Sequence, residues 1–121
     1  MEIRETHVFT RQLLASGQDG EPYRLLQLEL VQNPKCGVVI SGTGGLRKLR
    51  WKAEGRGKRG GHRIIYYWAE ALSVLLMLFM FPKNAQADLT PEQKRKLRQV
   101  VEAEFGTIGA SWHESRRQVV H

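Results

Sequence analysis

Cysteine is almost missing from this sequence. A single one, Cys36, stands in 121 residues, so no intrachain disulfide can form and a reducing cytoplasm is the expected home. Cys36 follows Pro34-Lys35 with no histidine motif near it, which reads as a small apolar filler and not a nucleophile. Long apolar runs are missing too. The longest, Val74 to Phe81, is far shorter than the ~20 residues of a bilayer-spanning helix. The opening Met1-Glu2-Ile3-Arg4-Glu5 holds no apolar signal core. His7, His113 and His121 are scattered with no carboxylate or cysteine partners at ligand spacing, so neither a metal nor another cofactor is expected. Acidic residues are scarce, 12 against 19 Lys and Arg, for a net charge of +7. That excess favours nucleic acid or an acidic protein as partner, and disfavours a membrane surface.

What is present suffices for one core. With 41% hydrophobic and 8% aromatic residues the composition is globular. It predicts a single domain over residues 1–106, with 107–121 as a tail of unassigned structure. Residues 2–5 alternate weakly and suit a short edge strand. Thr6 is placed to cap a helix over His7 to Leu14, with Phe9 and Leu13 on one face. Ser16-Gly17-Gln18-Asp19-Gly20 ends it. Pro22 opens a second helix whose stripe is Tyr23, Leu26 and Leu30, broadened by Leu25 and Leu28, and which Asn33-Pro34 stops. Val38-Val39-Ile40 is briefly extended, and Glu70 to Ser73 reads as a turn. Val74 to Phe81 is apolar at every position, the pattern of a central strand covered on both faces. Thr90-Pro91-Glu92-Gln93 carries a capping-box pattern. The helix it starts has Leu97, Val100, Val101 and Phe105 as its apolar stripe, with Lys94, Arg95, Lys96 and Arg98 outside. The fold class is α+β.

The chain is organised around residues 42–83. A glycine turn, Gly42-Thr43-Gly44-Gly45, leads into Leu46-Arg47-Lys48-Leu49-Arg50-Trp51-Lys52. No Gly-Lys-Ser/Thr follows at P-loop spacing, so the glycines read as a plain turn. Strand alternation puts Arg47, Leu49 and Trp51 on one face and Lys48, Arg50 and Lys52 on the other. Three cations in a row repel one another. A solvated edge strand uses lysine to block aggregation, but the added arginine and the basic loop that follows favour a binding face for a polyanion. That loop, Gly55 to Gly61, interleaves Arg56, Lys58 and Arg59 with glycine. The next strand, Arg63-Ile64-Ile65-Tyr66-Tyr67-Trp68, offers rings on which bases can stack. At most one tyrosine is expected to face a ligand, and Tyr67 is the candidate. His62, beside Gly60-Gly61, reads as a loop residue.

Gly42-Thr43-Gly44-Gly45-Leu46-Arg47-Lys48-Leu49-Arg50 resembles the RelE/ParE toxin superfamily, in particular its HigB-like branch. Asn33-Pro34, Gly57-Lys58-Arg59-Gly60-Gly61 before Arg63-Ile64-Ile65-Tyr66-Tyr67, Lys83-Asn84, and Leu89-Thr90-Pro91-Glu92-Gln93 extend the likeness over roughly residues 20 to 105. The resemblance implies a small twisted antiparallel sheet with two N-terminal helices packed on it and a C-terminal helix. It also implies a type II toxin-antitoxin toxin, a ribosome-dependent mRNA endonuclease that arrests translation in the cytoplasm. Its implied partners are mRNA, the ribosome and a cognate antitoxin carrying a helix-turn-helix DNA-binding domain. By position, Lys48, Arg50, Arg63 and Lys83 match the catalytic residues. Arg47, Lys52, Arg56, Lys58, Arg59, Tyr67 and Asn84 are the expected RNA or ribosome contacts. The chain departs from the branch at Ala85, where glutamate is common, and has no clear equivalent of the post-strand tyrosine of some members.

Metal-free RNA cleavage needs a base for the ribose 2′-OH, charge stabilisation at phosphorus and an acid for the leaving oxygen. Lys48 or Lys52, crowded by cations, is the expected base. Arg50 and Arg63 hold the phosphate, and Lys83 assists the leaving group. Two rivals stay open: a ParE-like gyrase inhibitor on the same fold, and a non-catalytic nucleic-acid-binding module.

Overall fold

A computed structural model describes residues 1–52 and 61–106. They belong to two compact units, Met1–Asp88 and a second that opens at Leu89.

The first unit contains β1 (Glu2–Glu5), α1 (His7–Ser16), α2 (Glu21–Gln32), β2 (Val38–Val39), β3 (Arg47–Lys52), β4 (Gly61–Ala69) and β5 (Val74–Pro82). A single 3-10 turn, Glu70–Leu72, joins β4 to β5. The strands form one sheet in the order β1-β5-β4-β3-β2. The expected antiparallel sheet needs correction. A strand precedes the helices, and it runs parallel to β5, pairing Glu2 with Val74 through Glu5 with Met77, so the sheet is mixed. Side-chain alternation reports faces and carries no information on strand direction.

Thr6 builds the corner after β1. Its hydroxyl accepts from the Phe9 amide, capping α1, and donates to the Leu78 carbonyl at 2.9 Å. β1 covers β5 only as far as Met77. Beyond that point α1 continues the edge, with Gln12 Oε1 accepting from the Met80 amide at 2.8 Å. Between those positions the β4–β5 register slips by one residue, Ile65 facing Phe79 and Tyr66 facing Met77, the geometry of a β-bulge. The carbonyl that a bulge frees is thus taken by a side chain, as buried backbone groups require.

Phe9 and Leu13 of α1 and Tyr23, Leu26 and Leu30 of α2 are buried with Trp51, Ile64, Tyr66, Leu75, Met77 and Met80 in one core on the helix-bearing face. Burying each large apolar side chain contributes about 1.5–3 kcal/mol. Cys36 packs at the margin of that core. On the opposite face Ile65, Leu76 and Phe81 are buried as well, so β5 is covered on both sides and Phe79 is its only apolar position left half-buried. Leu25 and Leu28 do not broaden the buried stripe of α2. Both are 48% exposed, because the arc from Tyr23 through Leu26 to Leu30 already spans what one sheet can cover.

Two residues fasten the chain after α2. Tyr66 Oη donates to the Pro34 carbonyl at 2.7 Å and accepts from the Gly37 amide at 2.9 Å. Burial pushes its hydroxyl pKa up to about 12. Arg47 Nη1 donates to the carbonyls of Lys35 and Gly37, at 3.2 and 2.7 Å. In the glycine turn, Thr43 is buried, its hydroxyl donating to the Ile40 carbonyl and accepting from the Leu46 amide. Gly42 and Gly44, both at φ 76°, let the chain reverse around it.

In the second unit α3 (Pro91–Phe105) starts with the full capping box, Thr90 and Gln93 exchanging side-chain-to-backbone bonds. Val101 and Phe105 are buried, Leu97 is half-buried, and Val100 is 38% exposed and so lies off the buried stripe.

Candidate nucleic-acid interface

The cations gather where two strands present the same face. β3 and β4 are antiparallel, with Lys48 opposite Ile65, Arg50 opposite Arg63 and Lys52 opposite Gly61. Directly opposed residues share a face. Lys48, Arg50, Lys52 and Arg63 therefore point to the side away from α1 and α2. The rows extend onto β5, where Ile65 faces Phe79 and Arg63 faces Phe81. On this face of the sheet the rows read Lys48–Ile65–Phe79 and Arg50–Arg63–Phe81, with Ile65 and Phe81 buried and Phe79 half-buried. The two phenylalanine rings lie 5.9 Å apart, centroid to centroid.

Two arginines directly across a ladder repel each other. Arg50 is exposed to solvent, whereas Arg63 is half-buried. Its Nε is buried and has no hydrogen-bond partner among the described residues. A buried guanidinium donor left unmatched costs about 1–3 kcal/mol, and an anion held by Arg50 and Arg63 together would offset their mutual repulsion.

Lys48 is engaged. Its Nζ lies 2.9 Å from Asp88 Oδ1, with the lysine side chain 32% and the aspartate 63% exposed. A carboxylate thus sits beside the ammonium that the sequence places among cations. Nothing local marks Asp88 in the sequence, since 40 residues separate the two. Lys52 is exposed at the end of β3. Lys83 and Asn84 are exposed just past β5, where the Lys83 amide donates to the Gly61 carbonyl at 2.9 Å. That bond holds the turn after β5 against the start of β4.

Other expected site residues are placed differently. Arg47 lies on the helix-bearing face, opposite Tyr66, with its guanidinium on the Lys35 and Gly37 carbonyls. Tyr67 shares the cation face by alternation and is half-buried, and burial raises its hydroxyl pKa. Its ring lies against Gly45, where an added Cβ would stand 3.3 Å from Cε1. Arg56, Lys58 and Arg59 lie outside the described residues, as does the 107–121 tail.

His62 is not a loop residue. It belongs to β4 opposite Trp51, on the face away from the cations, with the two rings 6.3 Å apart. Its Nδ1 is buried without a hydrogen-bond partner among the described residues, and burial lowers its pKa. The strands of the cation face therefore present arginine and lysine to a ligand and no imidazole. That Phe79 and Phe81 share the cation side of the sheet is not legible in an all-apolar strand, which shows no alternation of polarity.

No group of three or more His, Cys, Asp or Glu among the described residues is arranged to hold a metal ion. No described helix is long and apolar enough to cross a membrane. No protein-family model matches the chain.

Proposed function

We propose that this protein binds RNA on the β3–β4 cation face and cleaves mRNA on the ribosome, as a toxin of a type II toxin-antitoxin pair. One observation carries the reading: Arg50 and Arg63 are directly opposed, and the buried Arg63 Nε lacks a partner. A phosphodiester is the ligand that suits two arginines directly opposed on one sheet face. The exposed Lys52 extends the positive track along β3.

In the cleavage step the ribose 2′-OH attacks its own phosphorus and the bond to the 5′-oxygen of the next nucleotide breaks, leaving a 2′,3′-cyclic phosphate. Arg50 and Arg63 stabilise the charge that builds on the non-bridging oxygens. Lys48 already has a carboxylate partner in Asp88. That leaves Lys52 to take the 2′-OH proton and Lys83 to give one to the leaving oxygen. A face with so few acid–base groups gains most from a substrate held in line by something else, and the A site of the ribosome supplies such positioning. A cognate antitoxin with a helix-turn-helix domain would neutralise the activity.

Primer extension on a defined mRNA tests this, in a reconstituted translation reaction with the protein, without it, and with the protein but no ribosomes. Cuts that need ribosomes and follow the reading frame are expected. Absence of cuts in every tube would overturn the nuclease. The Lys48–Asp88 pair favours a second reading, a non-catalytic RNA-binding module, whose signature is salt-dependent RNA binding with no cleavage.

A further inference from the structure

We propose that the free edge of β3 at Arg50–Lys52 accepts an extended peptide of another protein as an added strand. The peptide's apolar side chains would turn toward α2 and its acidic ones toward Arg50 and Lys52.

Among the described residues the edge is open because β2 is short. It pairs only with Arg47 and Lys48, and no described strand lies beside Leu49 to Lys52 on that side. Backbone direction follows from two contacts. The Leu46 carbonyl accepts from the Ile40 amide at 2.8 Å, so Leu46 turns its backbone groups toward β2. A Cβ added to Gly37 would stand 2.9 Å from the Lys48 oxygen, which therefore points the same way. Alternation then aims the N–H and C=O of Arg50 and Lys52 outward. These groups are a template for another strand.

Beside this edge lies a cleft of about 280 Å³, walled by Pro22, Leu25, Leu26 and Glu29 of α2 and closed by Arg50, Trp51 and Lys52. Leu25, 48% exposed, presents an apolar side chain in this wall next to the half-buried Pro22, with the exposed Glu29 further along α2. An added strand has the same alternation as β3. Residues in step with Leu49 and Trp51 turn toward Leu25 and Pro22, and those in step with Arg50 and Lys52 meet two cations. The geometry therefore selects a short segment of alternating apolar and acidic residues. A second copy of this chain fits poorly, because its own Arg50 and Lys52 would be set against these. The added strand covers Arg50 and Lys52, so peptide and RNA compete for them. The peptide contact itself stands whether or not RNA is cleaved.

The probe is a fluorescein-labelled peptide, acetyl-Glu-Val-Glu-Leu-Glu-Val-Glu-amide, titrated into the full chain by anisotropy. Hydrogen exchange at the Arg50 and Lys52 amides is read in parallel. Binding and protection of those two amides are expected. Methylating one alternate set of peptide nitrogens should weaken binding about tenfold or more, while methylating the other set should leave it unchanged. Leu25→Glu, at a half-exposed position, should weaken binding comparably with an unaltered melting curve. Several results overturn the proposal: no binding, equal binding of a lysine-for-glutamate peptide, or indifference to which nitrogens are methylated. Concentration-dependent dimers by light scattering that protect the same amides without peptide would give the edge to a second copy. Equal protection by an oligouridylate would give it to RNA.

Discussion

Arg50 and Arg63 stand directly opposite each other on β3 and β4, and the buried Nε of Arg63 has no partner among the described residues. This pair does not help the fold. Replacing Arg63 by Met keeps the aliphatic stem and removes both the repulsion and the unmatched donor. The variant should be more stable by about 1 kcal/mol and should bind single-stranded RNA more weakly. Urea unfolding together with anisotropy on an oligouridylate checks both. A loss of stability with unchanged RNA binding would remove the pair from the site.

Arg50 is exposed, and Arg50→Ala should leave the melting temperature unchanged or slightly raised. RNA affinity should fall, and the slope of log affinity against log salt should drop by about 0.7 for one lost phosphate contact on a single strand. A salt titration of wild type and variant reads that slope directly.

Asp88 neutralises Lys48 across 2.9 Å. Asp88→Asn should therefore tighten RNA binding and steepen the salt dependence. Stability should change by less than about 1 kcal/mol, since an ion pair this exposed contributes little. If RNA binding weakens instead, Asp88 contributes to the ligand site and does not mask it.

Tyr66→Phe removes a buried hydroxyl that joins the Pro34 carbonyl to the Gly37 amide. The Gly37 amide is left without its acceptor, and a cost of about 1–3 kcal/mol is expected from denaturant unfolding. Gly37→Ala should cost more, because its Cβ would meet the Tyr66 ring at 2.8 Å and the Lys48 carbonyl at 2.9 Å. The lysine carbonyl belongs to a paired strand and has little room to yield.

His62 has its pKa lowered by burial. The folded protein keeps the imidazole neutral, while the unfolded chain gains a proton below about 6.5. In that window the unfolded state binds more protons, so stability falls as pH drops from about 6.5 toward the folded pKa. His62→Gln should flatten this part of the profile, measured as the difference in melting temperature between wild type and variant from pH 7 to pH 5.5. Parallel profiles would show that His62 does not carry the dependence.

Much of the local structure was legible in the sequence. Thr6 and Thr90 cap their helices, Phe9 with Leu13 and Tyr23 with Leu26 and Leu30 face the core, and Lys48, Arg50 and Lys52 share one face of β3. Each follows from side chains a few residues apart and from the fixed periods of helix and strand. What that periodicity cannot supply is which strand lies beside which, in what direction and in what register. Those are settled by packing between distant segments. Only the tertiary structure made β1 parallel to β5, set Arg50 against Arg63 and brought Asp88 to Lys48. It also moved His62 to the helix-bearing face, turned Arg47 onto backbone carbonyls, and left Leu25 exposed beside a β3 edge that no described strand covers. The sequence by itself determined that this protein carries a row of cations on one strand face. The pairing of that strand decided which of those cations face another charge, which are neutralised and which remain free for a ligand, because electrostatic neighbours depend on distance through space and not along the chain.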